Sequence, residues 1–179
     1  MNKILVVGIL FFATSCVTSK ITSNKSPDFN EKITKLYIIL KGTDSAEPFL
    51  KAFEKELSNS LTIKGIESKV NYSDPLSLES ESDANQNITD YKPNLLLVIN
   101  QTESRQTMNG GFNNGFGNAG LGYGSVNTGG TFDVKIFQVN SKNPVWRGNL
   151  KADGQFGLKS SAIKACETLI AKLIEDKLL

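Results

Sequence analysis

Ile33-Thr34-Lys35-Leu36-Tyr37-Ile38-Ile39-Leu40, with Phe49, Leu50, Phe53, Leu57 and Leu61 beyond it, decides the class of this fold. The first run is apolar and β-branched toward its end, and it does not alternate with polar residues. Such a run reads as a strand buried on both faces. Lys41-Gly42-Thr43 breaks it. The second set recurs at intervals of three and four residues, which is one stripe of a helix. Asp44 or Ser45 can cap that helix, Pro48 suits its first turn, and Gly65 can close it. Ile66, Ser68, Val70 and Tyr72 then alternate as in a half-exposed strand. A strand, a helix and a strand in that order predict a right-handed crossover with parallel strands.

Ser73 to Tyr91 is polar and contains Pro75, so it reads as a long loop with one helical turn at most. Asn94 to Thr102 (NLLLVINQT) is the most apolar strand and reads as central. Thr131 to Val139 sets Phe132, Val134 and Ile136 on one face. Asn140 to Pro144 reads as a hairpin turn. Val145 to Asp153 returns with Trp146, Leu150 and Ala152 on a shared face. These last three strands predict an antiparallel meander. Ile163, Cys166, Leu169, Ile170, Leu173, Ile174 and Leu178 form the stripe of a final helix, capped by Ser160 or Ser161. The order is β-α-β-β-β-β-α. It predicts an α+β fold, a single small domain over residues 33–179. Two helices pack on a mixed five-stranded sheet.

The chain has 179 residues, which suits one domain. It carries 20 Lys plus Arg against 18 Asp plus Glu and no histidine. That balance does not call for nucleic acid as partner. Without imidazole, many common general-base and metal arrangements are excluded.

Upstream of the domain the pattern changes. Lys3 precedes an apolar run from Ile4 to Ala13. As a helix, ten residues span about 15 Å, half the roughly 30 Å of a hydrocarbon core. The run fits a signal h-region, with residues 1–15 as the leader. Ala13-Thr14-Ser15-Cys16 follows, and here the chain resembles bacterial lipoproteins. The match is to their lipobox, with small residues before a cysteine, although that family usually has leucine at the position of Ala13. The resemblance implies cleavage before Cys16, a diacylglyceryl group on its sulfur and acylation of its amine, commonly with palmitate. One acyl chain holds a membrane marginally and two or more hold it stably. Cys166, the other cysteine, is then left without a disulfide partner, and its place in the apolar stripe reads as core.

Val17 to Lys32 is polar, with Pro27 inside. Residues 16–32 read as the lipidated cysteine and a flexible tether of roughly 20–25 Å reach. An edge strand at the start of the fold is the alternative reading.

Residues 109–130 hold nine Gly and five Asn in 22 positions, with Phe112, Phe116 and Tyr123 among them. Gly115 to Gly120 matches G-x-G-x-x-G. It does not leave a strand directly or open a helix, so no dinucleotide site is expected. The segment reads as a hairpin loop. Its aromatics make it a candidate contact for a partner protein or a glycan. Asp83-Ala84-Asn85-Gln86-Asn87 opens like a calcium loop. It has Ile88 where the turn needs glycine and Asn94 where ligation needs glutamate. Asp44, Asp133 and Asp153 are the carboxylates considered for hydrolysis, and Trp146 reads as a core or sheet-edge anchor. No cofactor or metal is expected. The sequence therefore predicts an envelope lipoprotein acting as a non-catalytic accessory or binding module. Its membrane partner is reached through the lipid on Cys16, and a dispersed-carboxylate hydrolase or glycan-binding module is the alternative. By resemblance to lipoprotein sorting, Val17 after the cysteine points to the outer membrane, facing the periplasm.

Overall fold

A computed structural model describes residues 18–73, 81–109, 125–154 and 157–179. Six strands and three helices form one α+β domain. The elements are β1 (Thr18–Lys25), β2 (Lys35–Lys41), α1 (Glu47–Ile63), β3 (Glu67–Ser73), α2 (Glu81–Tyr91), β4 (Leu95–Asn109), β5 (Ser125–Gln138), β6 (Trp146–Gly154) and α3 (Leu158–Glu175). The sheet order is β1-β6-β5-β4-β2-β3. β2 is parallel to both β3 and β4, and β4, β5 and β6 form the antiparallel meander.

The α+β class, the parallel crossover and the meander agree with the sequence. The strand count does not. Residues 18–25, read as part of a tether, form a sixth strand that pairs antiparallel with the whole of β6, from Thr18↔Asp153 to Lys25↔Trp146. Its side chains are nearly all polar. That is permitted because β1 is an edge strand: backbone pairing holds it, and only Ile21 packs against the core. The sheet thus already includes Thr18–Lys25, upstream of residue 33.

α1 buries Phe49, Leu50, Phe53, Leu57 and Leu61, the stripe read from the sequence. Burial of each such side chain stabilises by about 1.5–3 kcal/mol before chain entropy is counted. Leu36, Ile38 and Leu40 of β2, Leu95, Leu97 and Ile99 of β4, and Phe132, Val134 and Ile136 of β5 supply the facing layer. α3 packs beside α1, but its buried set is Ser161, Ala162, Ala165, Cys166, Leu169, Ile170 and Leu173. Ile174, expected in the stripe, is 45% exposed. Ala162 and Ala165 lie on the buried face in place of Ile174.

The helix starts also differ. Asp44–Ala46 form a short 3₁₀ turn, and Ala46 precedes α1 without a side-chain cap, so neither Asp44 nor Ser45 caps it. α3 begins at Leu158 after Gly157. Ser161 lies inside its first turn and donates to the Gly157 carbonyl at 3.2 Å, so it is no cap either. Glu81–Tyr91 is a full helix, not a loop with one turn. It lacks an apolar stripe, so hydrophobic periodicity gave no signal. Its last residue, Tyr91, packs on Tyr37 at a ring separation of 5.8 Å. Tyr37 alternates with Leu36 and Ile38, so Tyr91 sits on the face opposite α1 and α3.

Candidate functional site

The two ends of the sheet are built differently. At one end lie the starts of β2, β3, β4 and β6, and the ends of β1 and β5. All three helices also finish there. α1 closes in a Schellman motif: Gly65 donates to the Thr62 carbonyl and Ile66 to that of Leu61. Gly65 takes φ +74°, which a side chain resists. α3 closes the same way, with Lys177 donating to Ile174 and Leu178 to Leu173, yet the left-handed position is held by Lys177 at φ 61°. α2 ends with Lys92 at φ 53°, donating to the Ile88 carbonyl.

Side chains tie this end further. The Asn94 amide oxygen accepts from the backbone N–H groups of Thr34 and Lys35. Its nitrogen donates to Glu31 and to the Lys32 carbonyl. Asp176 Oδ2 accepts from Ser23 Oγ at 2.6 Å and from Trp146 Nε1 at 2.7 Å. Lys172 Nζ lies 3.3 Å from its other oxygen. One carboxylate thus joins β1, β6 and α3. Burial pushes the Asp176 carboxyl up, but the hydrogen bonds and the Lys172 charge outweigh it and hold it below the usual range. Trp146 is buried as the core anchor read from the sequence, and its ring lies over Gly148. A Cβ added there would come within 2.5 Å of the ring.

The opposite end is where β1 begins, two residues after Cys16. Thr18 is level with Asp153, Asp153 with Gly129, and Gly129 with Arg105. β6 stops at Gly154, level with Thr128. β4 and β5 continue past it as a two-stranded ribbon, paired to Asn109↔Ser125. This stretch was expected to be loop from residue 109 to 130. The residues that pair are strand, because backbone ladder bonds need no side chains and glycine does not prevent them. Phe112, Phe116 and Tyr123 lie outside the described residues, as do Cys16 and the leader.

The structure does not bring the three considered carboxylates together. Asp133 sits on the outer face of β5, level with Asn149. Asp153 lies four residues along β6, roughly 13 Å away. Asp44 lies past the end of β2. Asp133 is held by Arg147 through bonds of 2.9 and 3.2 Å and by Lys135 at 2.7 Å. Burial raises its carboxyl, and these two cations more than reverse that, leaving it below the usual range. Such a carboxylate is a sheet fastener. Cys166 is buried, and burial pushes its thiol up to about 11, opposite to what a reactive thiol needs. Among the described residues no group of three or more Cys, Asp or Glu is placed to hold a metal ion.

Surface hollows lie among the described residues, one of about 360 Å³ beside Thr22, Asp133, Arg147 and Asn149. A groove of about 680 Å³ runs between β1 and α3, lined by residues including Lys20, Ile21, Lys164, Glu167 and Lys172. A hollow of about 110 Å³ lies at Gly42, Thr43, Asp44, Glu47 and Tyr72. Asp176, Asn94 and the β1–α3 groove were missed in the sequence. Asp176 alone left a trace there. A carboxylate at a helix C-terminus opposes the helix dipole and implies a specific partner.

No protein-family model matches the sequence, and no curated protein matches it. Solved structures do share the fold. The PelC dodecamer of Paraburkholderia phytofirmans is similar over 85% of this chain and 95% of its own, at 12% identity and a TM-score of 0.54. A variant PelC dodecamer from the same organism is similar over 85% and 96%, at 16% identity and 0.54. Lipoprotein GNA1162 of Neisseria meningitidis is similar over 80% and 96%, at 7% identity and a TM-score of 0.42. At the PelC level of identity, what is shared is the fold.

Proposed function

We propose that this chain is a lipid-anchored, non-catalytic accessory module of the bacterial cell envelope, held through Cys16 on the outer membrane and facing the periplasm. The observation that carries this reading is the sequence Ala13-Thr14-Ser15-Cys16 between an apolar leader and the first strand of the fold. Among the described residues no helix is long and apolar enough to cross a membrane. A lipid on Cys16 supplies a different means of attachment. The engagement of Asp133 and Asp176 in structural ties supports a binding role over hydrolysis.

Cys16→Ala tests it. The variant is expected to leave the membrane fraction and to fold as before, since Cys16 precedes every described element. Continued fractionation with membranes would show that lipid on Cys16 is not the anchor. A pull-down from solubilised membranes is expected to recover an envelope protein. Binding or cleavage of peptidoglycan fragments by the purified domain would favour the glycan or hydrolase reading instead.

A second reading concerns self-assembly. The PelC structures that share this fold are dodecamers, and here β1 and β3 are the outer strands of the sheet among the described residues. Light scattering of residues 17–179 at increasing concentration tests it. A single monomeric mass throughout would remove this reading.

A further inference from the structure

The groove between β1 and α3 has the form of a seat for one more strand. We infer that it takes an extended segment of a partner protein, which adds to the outer edge of β1 and lays alternate side chains against α3. The inference rests on the binding role proposed above and not on the anchor.

Backbone geometry sets the first wall. Ser26 N–H donates to the Val145 carbonyl, and the β1–β6 register continues without a break from Lys25↔Trp146 to Thr18↔Asp153. Bonded and non-bonded pairs alternate in an antiparallel ladder, so Thr18, Lys20, Thr22 and Asn24 bond to β6. The N–H and C=O groups of Ser19, Ile21 and Ser23 therefore point away from it. Ser19, Lys20, Ile21 and Thr22 in succession line the groove of about 680 Å³. Successive strand residues send their side chains to opposite faces, so a hollow that touches all four runs along the edge of the strand. The outward backbone groups of Ser19 and Ile21 face that space.

α3 forms the second wall. Lys164, Thr168, Ala171 and Glu175 line the same groove at helical spacing, a stripe of roughly 16 Å. Four residues of β1 span roughly 13 Å. A strand edge and a helix flank of comparable length, with a hollow between them, is an arrangement into which extended peptides add by backbone bonding. The walls also select chemistry. Ile21 and the small Ala171 favour modest apolar side chains on the helix side. On the other side Lys20 is level with Lys151, and like charges placed so cost stability. Lys164 and Lys172 are bound to Glu167 and Glu175 at 3.0 and 2.8 Å, whereas Lys20 meets no carboxylate among the described residues. An acidic residue beside Lys20 answers that pair. The segment that fits therefore alternates small apolar residues with polar ones, at least one of them acidic.

Peptide binding to the full-length protein in neutral detergent micelles tests this. The probe is a fluorescein-labelled peptide that alternates threonine and valine, with one threonine replaced by aspartate. Its anisotropy is expected to rise with a Kd at or below about 1 mM, and lysine in place of the aspartate is expected to weaken binding several-fold. Amide exchange is expected to slow at Ser19, Ile21 and Ser23 and not along β3. Ala171→Trp fills the groove from an exposed position and is expected to weaken binding at least tenfold. Ser19→Pro removes an outward N–H and spares the ladder to β6, so it is the second variant should the first not fold. No binding up to about 1 mM, or binding unchanged in both variants, overturns the inference. So does a mass that doubles with concentration while the same amides are protected without peptide, which gives the edge to a second copy. An envelope protein recovered in the pull-down while the peptide fails leaves the binding role standing without this groove. Protein that leaves the membrane fraction yet binds the peptide loses the anchor alone.

Discussion

The two ends of the sheet divide the work of the molecule. The end bearing the helix C-termini is closed by backbone caps at Gly65, Lys92 and Lys177 and by two polar hubs, Asn94 and Asp176. At the end bearing Thr18 the described ties are single-acceptor ones: Gln101 Oε1 accepts from the Thr43 N–H and hydroxyl, and Thr131 Oγ1 donates to Glu103. There β6 stops and a glycine-rich ribbon continues. The contrast teaches that the buried multi-donor ties, at Asn94 and Asp176, gather where the helices end.

Substitutions can break that contrast. The largest effect is expected at the closed end. Trp146→Ala removes a buried ring and strips Asp176 of a donor, and it should destabilise by about 3–5 kcal/mol in denaturant titration. A loss under about 1 kcal/mol would mean that the closed end is not where stability resides.

Asp176→Asn comes next, at about 1–2 kcal/mol near neutral pH. Its sign with pH is fixed. The folded carboxyl titrates below its ordinary value, so its contribution is full above about pH 4. That contribution is lost as the pH falls through the depressed value. The wild type should therefore weaken below pH 4 more steeply than Asp176→Asn, although Asp133 keeps part of the slope in both. Identical acid limbs would show that Asp176 carries no linkage.

The C-cap of α3 sharpens the contrast from the other side. Lys177 is strained at φ 61°, so Lys177→Gly should raise stability by about 0.5–1 kcal/mol. The smallest effect is expected at the open end. Replacing residues 110–124 with an Asn-Gly turn should change stability by less than about 0.5 kcal/mol, because loop closure depends weakly on length. A loss of several kcal/mol there would place packed structure in the ribbon.

What the sequence revealed follows the same division. The core was legible because burial imposes period. Leu36, Tyr37, Ile38 and Leu40 are buried as their unbroken apolar run implied, and the five-residue stripe of α1 and Phe132, Val134 and Ile136 lie where helical spacing or alternation put them. β1 was read only as an alternative and α2 not at all, for a shared reason. Thr18–Lys25 and Glu81–Tyr91 bury little, so neither carries a hydrophobic rhythm. β1 is specified by the backbone of β6 and by Ser23 meeting Asp176 across 153 residues of chain. No local pattern encodes such a pairing. The glycine-rich ends of β4 and β5 were hidden likewise, since glycine signals a loop by composition while its backbone still pairs. Of the candidate site, the proposal of Cys16 as an attachment residue rests on a motif alone.

Intact-mass and peptide mass spectrometry of the mature protein taken from membranes tests the anchor most directly. The expected product begins at Cys16, with a diacylglyceryl group on sulfur and an acyl chain on the amine. A product that retains residues 1–15, or whose Cys16 thiol is unmodified, would contradict it.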